Sequence, residues 1–324
     1  MTNETAQVHY AHRRRRGSLA SRGKGAQPTA RLPKVGILYP YSAADPGYGL
    51  ADAFHDVGIE EGRDILLEWR YAEAQIERIP ALASDLERLR LDAIVAIRDV
   101  AIRALQRETT TIPIIAGTDD LVGEGHAASL ARPAGNVTGI SILASELNAK
   151  RLEVLKEALP SVTRAAVLWD PATGTFHLPT LRAVAQTLRV ELQEHEVTSE
   201  ETLTMALDAA QAWGADSTNV LASPTLHALR RAIIAQMAVR RLPAIYQWGE
   251  SAREGGLMSY GPIRTEVYQG IVRQLLRVLK GANPAELPVE QPTKFELVVN
   301  LKTAKPLGLA IPPLLLARAD EVIE

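Results

Sequence analysis

From Lys34 onward, short apolar runs of strand length alternate with longer stretches in which apolar residues recur every three or four positions. That alternation predicts parallel sheets covered by helices. The expected strands are Lys34 to Tyr39, Ile65 to Arg70, Ala93 to Ile97, Pro113 to Ala116 and Val137 to Ile142. Further along come Arg164 to Trp169, Val190 to Val197, Asn219 to Ala222, Pro243 to Tyr246, Leu257 to Tyr260 and Phe295 to Val299. The series Ile76-Ile79-Leu82-Ala83-Leu86-Leu89 and Leu147-Leu152-Leu155-Leu159 each put apolar side chains on one face of a helix. So many strands exceed one ordinary open sheet. Two βαβ series separated near Arg132-Pro133-Ala134-Gly135-Asn136 account for them, which predicts an α/β protein of two doubly wound lobes.

Composition changes the picture at the N-terminus. Residues 1–32 carry Arg13 to Arg16, Arg22, Lys24 and Arg31 among Gly, Ser, Ala and Gln, with Glu4 as their one acid. They read as a basic, disordered tail. Gly17-Ser18-Leu19-Ala20-Ser21 supplies no apolar core for a secretory signal, so no export signal is expected in the chain as written. A net charge of -2 over the whole chain gives no global attraction to nucleic acid or an anionic membrane. No apolar run approaches spanning length, and no direct membrane insertion is expected. The absence of cysteine removes disulfides, thiolate metal sites and cysteine nucleophiles.

Catalytic signatures are missing as well. The chain has no Gly-x-Ser-x-Gly elbow, no Gly-x-Gly-x-x-Gly after a strand and no phosphate-binding Gly-x4-Gly-Lys-Ser/Thr loop. His55, His126, His177, His195 and His227 are isolated in sequence, without metal-ligand spacing. The expectation is a binding protein with no cofactor, no metal and no catalytic residue.

In parallel α/β sheets, ligands sit beyond the carboxyl ends of the strands, and two facing lobes make a cleft there. This rule selects Tyr39, Tyr41 and Ser42 after the first strand, Arg98 and Asp99 after the third, and Thr118, Asp119 and Asp120 after the fourth. In the second lobe it selects Trp169, Asp170 and Thr173, then Ser223 and Thr225, then Tyr246, Gln247 and Trp248. Arg98 and the helix start behind it favour an anionic group, and Asp119 beside Asp120 favours an ammonium. The aromatic residues at strand ends are read as walls for a flat or apolar group. Each has a plainer alternative: Asp99 and Asp120 as helix caps, the aromatics as core.

Several segments resemble the substrate-binding proteins of ABC transporters, with the periplasmic binding protein type I architecture. They are Asp120-Leu121-Val122-Gly123, Ala128 to Gly139, Gly255 to Pro262 and Leu287 to Lys305. The resemblance implies two lobes joined by a three-segment hinge, with residues 33–138 plus 256–281 in one and 139–255 plus 282–324 in the other. It places hinge strands at Thr138, Gly139, Gly255 and Gly256, where glycine tolerates rotation. It further implies capture of a small polar solute, an amino acid foremost, for an ABC permease and its ATPase, and a periplasmic location. Relatives usually have a Gly-Thr-Pro-like turn where this chain has Arg98-Asp99-Val100, and an apolar leader where it has the arginine-rich tail. Two other readings stay open: a cytosolic sensor on the same fold, and a hydrolase or isomerase using the cleft carboxylates Asp119 and Asp120.

Overall fold

The computed structural model describes residues 31–40, 49–73 and 75–324. Tyr41 and Ser42 lie outside the described residues, as does the basic tail up to residue 30. The first lobe is built on β1 (Lys34–Tyr39), α1 (Leu50–Asp56), β2 (Leu66–Tyr71), α2 (Ile79–Glu87), β3 (Ala93–Ile97), α3 (Asp99–Glu108), β4 (Ile114–Thr118) and β5 (Val137–Ser141). The second contains α4 (Ala144–Ala158), β6 (Arg164–Trp169), α5 (Leu178–Leu188), β7 (Glu191–Glu196), α6 (Glu200–Trp213), β8 (Ser217–Val220), α7 (Pro224–Ala228), α8 (Arg230–Arg240), β9 (Ala244–Tyr246) and α9 (Gly249–Arg253). Then follow β10 (Met258–Pro262), α10 (Arg264–Leu279), β11 (Phe295–Asn300), α11 (Leu301–Leu307), α12 (Pro313–Arg318) and β12 (Glu321–Ile323).

The first sheet runs β2-β1-β3-β4-β5 and is parallel throughout. The second runs β12-β11-β10-β9-β8-β6-β7, and only the β10 and β11 pair is antiparallel. Strands covered by helices on both faces must be apolar along their whole length. Ala93–Ile97 meets that demand with every residue buried, and so does Ile114–Thr118. In both sheets the strand order reverses, between β1 and β3 and between β6 and β8, and at such points loops diverge and leave a crevice.

The sheets revise the expected lobe boundaries and the hinge. Thr138 and Gly139 lie inside β5, paired with β4, so they belong to the first lobe. Gly139 is needed there for space, since a Cβ would stand 2.0 Å from the Ala116 carbonyl oxygen. Gly255 and Gly256 precede β10, which pairs with β9 and β11 in the second sheet and not in the first. Only α10 returns to the first lobe, where it packs on α1, β3, β4 and β5. Residues 287–290 also stay with the first lobe: Glu290 donates its amide to the Gly139 carbonyl and accepts from the Ser141 amide. The chain therefore crosses at Ile142-Leu143, at Ile263 and over residues 291–294. Leu143 takes the left-handed conformation at φ 59, and the Ile263 amide bonds the Lys294 carbonyl at 3.2 Å, which ties two crossings together.

Candidate functional site

The crevices of the two sheets face one another across a cavity of about 260 Å³. Its first-lobe wall includes Arg98, Asp99, Val100, Thr118, Asp119 and Glu124. Its second-lobe wall includes Asp170, Ala172, Thr173, Thr198, Thr225 and Leu229. Among the residues selected from strand ends, the cavity thus unites Arg98, Asp99, Thr118, Asp119, Asp170, Thr173 and Thr225.

Arg98 is the most constrained of them. At φ 77 and ψ 153 it occupies a backbone region that is otherwise essentially glycine's. Its amide bonds the Gly117 carbonyl, its own carbonyl starts α3, and its side chain bonds Asp119 at 2.8 Å. The pair is largely removed from water, with side-chain exposures of 13% and 5%. Asp99 is the first residue of α3 and not its cap; it bonds Arg103 at 2.5 Å and His126 Nε2 at 2.8 Å. Asp120 does not cap a helix either. Its carboxylate accepts the amides of Val122 and Gly123 in a turn, and Gly123 has no Cβ to strike it. Asp119 and Asp120 therefore diverge and form no carboxylate pair.

Glu124 was not legible as a site residue; only the flanking Gly123 and Gly125 signal the turn that folds it back. Its carboxylate accepts from the Thr118 hydroxyl at 2.7 Å and from the Asp120 amide at 3.3 Å. Burial first, then the charges of Asp119 and Asp99, push its pKa up to about 8 against its two hydrogen bonds. Ligand atoms of Asp99, Glu124 and His126 lie within 4.8 Å of one another and are the residues that could hold a metal ion. Isolation in sequence hid that grouping of His126. The guanidinium of Arg103 and the imidazole of His126 share one Asp99 oxygen, so an ion would compete with both.

On the opposite wall, Asp170 is 2% exposed. One of its oxygens accepts the Ala172 amide at 2.9 Å and the other the Ser223 hydroxyl at 2.8 Å. Ser223 in turn accepts the Leu226 amide, so it orients Asp170 and starts α7. Behind this wall, His227 accepts a hydrogen bond from Arg264 at 3.2 Å. Burial, with Arg264, Arg230 and Arg98 nearby, pulls the His227 pKa down to about 2. Arg151 is fully buried, donates to the Tyr260 carbonyl and to Asn148, and is pulled down to about 9 by burial despite the field of Asp119.

The strand-end aromatics are core and not cleft walls. Tyr39 bonds the Tyr268 hydroxyl at 3.2 Å inside the first-lobe core. Trp169 packs in the second-lobe core. Tyr246 packs against α8, and burial raises its pKa. Gln247 is buried beside it. Trp248 follows β9 in the second lobe, yet its ring joins the first-lobe cluster with Ile140, Ile142 and Tyr268 next to the first crossing. It links the lobes through apolar packing.

Two parallel-sheet lobes with a polar cavity at their facing switch points define a solute-binding protein of the periplasmic binding protein type I-like fold. The family model for ABC transporter substrate binding proteins matches residues 42–323, and the chain belongs to that family. It is 24% identical over 302 residues to a tyrosine-binding protein of Clostridioides difficile, covering 90% of this chain and 86% of the relative. Among solved structures it resembles the ABC domain in complex with L-Trp from Streptococcus pneumonia, at TM-score 0.81 and 21% identity, over 90% of this chain and all of that one. A conserved domain protein from Vibrio cholerae is similar at TM-score 0.82 and 24% identity with the same coverage. The family is one of solute-binding proteins rather than enzymes, and it is typically extracytoplasmic. No helix among the described residues is long and apolar enough to cross a membrane.

Proposed function

We propose that this protein captures a free amino acid between its lobes, outside the cytoplasm, and delivers it to an ABC permease. The observation that carries this reading is the Arg98 and Asp119 pair at the cavity wall, a fixed cation and anion 2.8 Å apart. The α-carboxylate and α-ammonium of an amino acid present the complementary pair of charges at similar spacing. The relatives named for tyrosine and L-Trp support the same solute class. Contacts from Asp170, Thr173 and Thr225 then reward closure, because a solute held by the first lobe alone binds open and closed forms alike.

The test is a thermal-shift screen of amino acids, sugars and nucleosides on protein stripped of solute, followed by small-angle scattering with the best binder. A true solute at a hundred times its Kd adds about 2.7 kcal/mol of stability. Stabilisation by amino acids with a fall in radius of gyration is expected. Stabilisation by sugars or nucleosides alone would overturn the amino-acid assignment, and tight binding without compaction would overturn closure.

A further inference from the structure

We infer that the solute of this cleft carries a second cationic group beyond its α-ammonium, so that basic amino acids such as lysine and ornithine bind in preference to neutral ones. This rests on the amino-acid reading above and deepens it to the charge of the side chain.

The inference comes from the balance of charge on the walls. Among the described residues, the cavity presents one cation, Arg98, against Asp99, Asp119, Glu124 and Asp170. Arg98 is engaged by Asp119 at 2.8 Å, and Asp99 is satisfied from outside the cavity by Arg103 and His126. Two carboxylates remain, Glu124 on the first lobe and Asp170 on the second. Among the described residues neither has a Lys or Arg within ion-pair distance; His126 Nε2 stands 3.7 Å from Glu124. The remaining cations nearby are engaged elsewhere: Arg230 with Glu254 at 3.1 Å and Arg264 with Glu250 at 3.7 Å and with His227, while Arg151 is held by Asn148 and the Tyr260 carbonyl and feels the field of Asp119.

Both carboxylates are fixed by hydrogen bonds that leave lone pairs to spare, Glu124 by Thr118 and Asp120, Asp170 by Ala172 and Ser223. A buried carboxylate without a counter-charge is costly, and closure around a neutral side chain would leave Glu124 and Asp170 without one. With the α-ammonium at Asp119, the side-chain ammonium or guanidinium of a basic amino acid supplies a counter-charge to Glu124 and Asp170. Since Asp170 belongs to the second lobe, a cation that reaches it also biases the lobes toward closure.

Isothermal titration of the full chain, stripped by unfolding and refolding, tests this with L-lysine, L-ornithine, L-leucine, L-tyrosine and putrescine. Lysine or ornithine should bind at least about tenfold more tightly than leucine or tyrosine, about 1.4 kcal/mol. Asp170→Asn and Glu124→Gln should each shrink that ratio. Leucine or tyrosine binding as tightly as lysine overturns the inference, as does a lysine preference unchanged in both variants. Binding of putrescine with no amino acid would sink the amino-acid reading and uphold the second cation; binding of no member of the panel overturns both.

Discussion

The two walls of the cleft recognise by different means. The first-lobe wall is charged: Arg98 is paired with Asp119, Asp99 is held by Arg103 and His126, and Glu124 stands beside His126, all near the ends of β3 and β4. The second-lobe wall offers hydroxyls from Thr173, Thr198 and Thr225, and a single carboxylate, Asp170, while its large aromatics turn inward. A rigid network is preorganised before the solute arrives, so the first lobe selects by charge. A wall of small polar groups contributes only when it is brought up against the solute, so the second lobe reports occupancy.

The sharpest way to break that contrast is to remove charge from the first wall. Asp119→Ala removes the carboxylate from a largely buried ion pair and should cost about 3 kcal/mol in urea unfolding. A loss below about 1 kcal/mol would mean that the pair is solvated and the network ornamental.

The walls also respond to pH in opposite directions. Burial pushes the Glu124 carboxyl up from 4.5 to about 8, so the native form holds more protons between those values. Stability from this wall therefore falls as pH rises through that window, by at most about 1.4 kcal/mol per unit. His227 is lowered from 6.5 to about 2, so the unfolded form holds more protons there and stability falls as pH drops below 6.5. Melting temperatures measured from pH 4 to 9 should flatten on the alkaline side in Glu124→Gln and on the acid side in His227→Gln. Superimposable profiles for wild type and both variants would count against the assignment. The smallest effect belongs to the second wall: Thr225→Ala should weaken solute binding by about 1 kcal/mol, roughly fivefold, and leave unfolding nearly unchanged.

The architecture was readable because buried parallel strands must be uniformly apolar, and β1, β3 and β6 sit where their runs predict. The same property misled the reading of their ends. Trp169 closes a strand buried on both faces, so its ring continues into the core instead of turning to the cleft. Arg98, Asp119 and Asp170 were legible because they stand in the first loop positions after their strands. Glu124 and Thr198 reach the cavity from farther along their loops, and no local pattern marks such a return. The crossings escaped for a related reason. Ile142, Leu143 and Ile263 are ordinary apolar residues, whereas among the glycines that suggested rotation Gly139 and Gly256 serve close packing inside their lobes and Gly255 a positive φ before β10. The strand β12 is three residues long and sits at a sheet edge, too short for a periodic signal.

Arg98 illustrates what a binding site asks of the chain that carries it. A side chain in backbone territory where glycine is at ease stores roughly 1–3 kcal/mol of strain, and here the ion pair with Asp119 helps hold it in place. A search for a hardier version of this protein would therefore be drawn to glycine at position 98, paired with a neutral residue at 119. This chain has arginine there instead. The position marks where durability and recognition compete for the same residue, and a thermostable descendant that takes it should lose its solute.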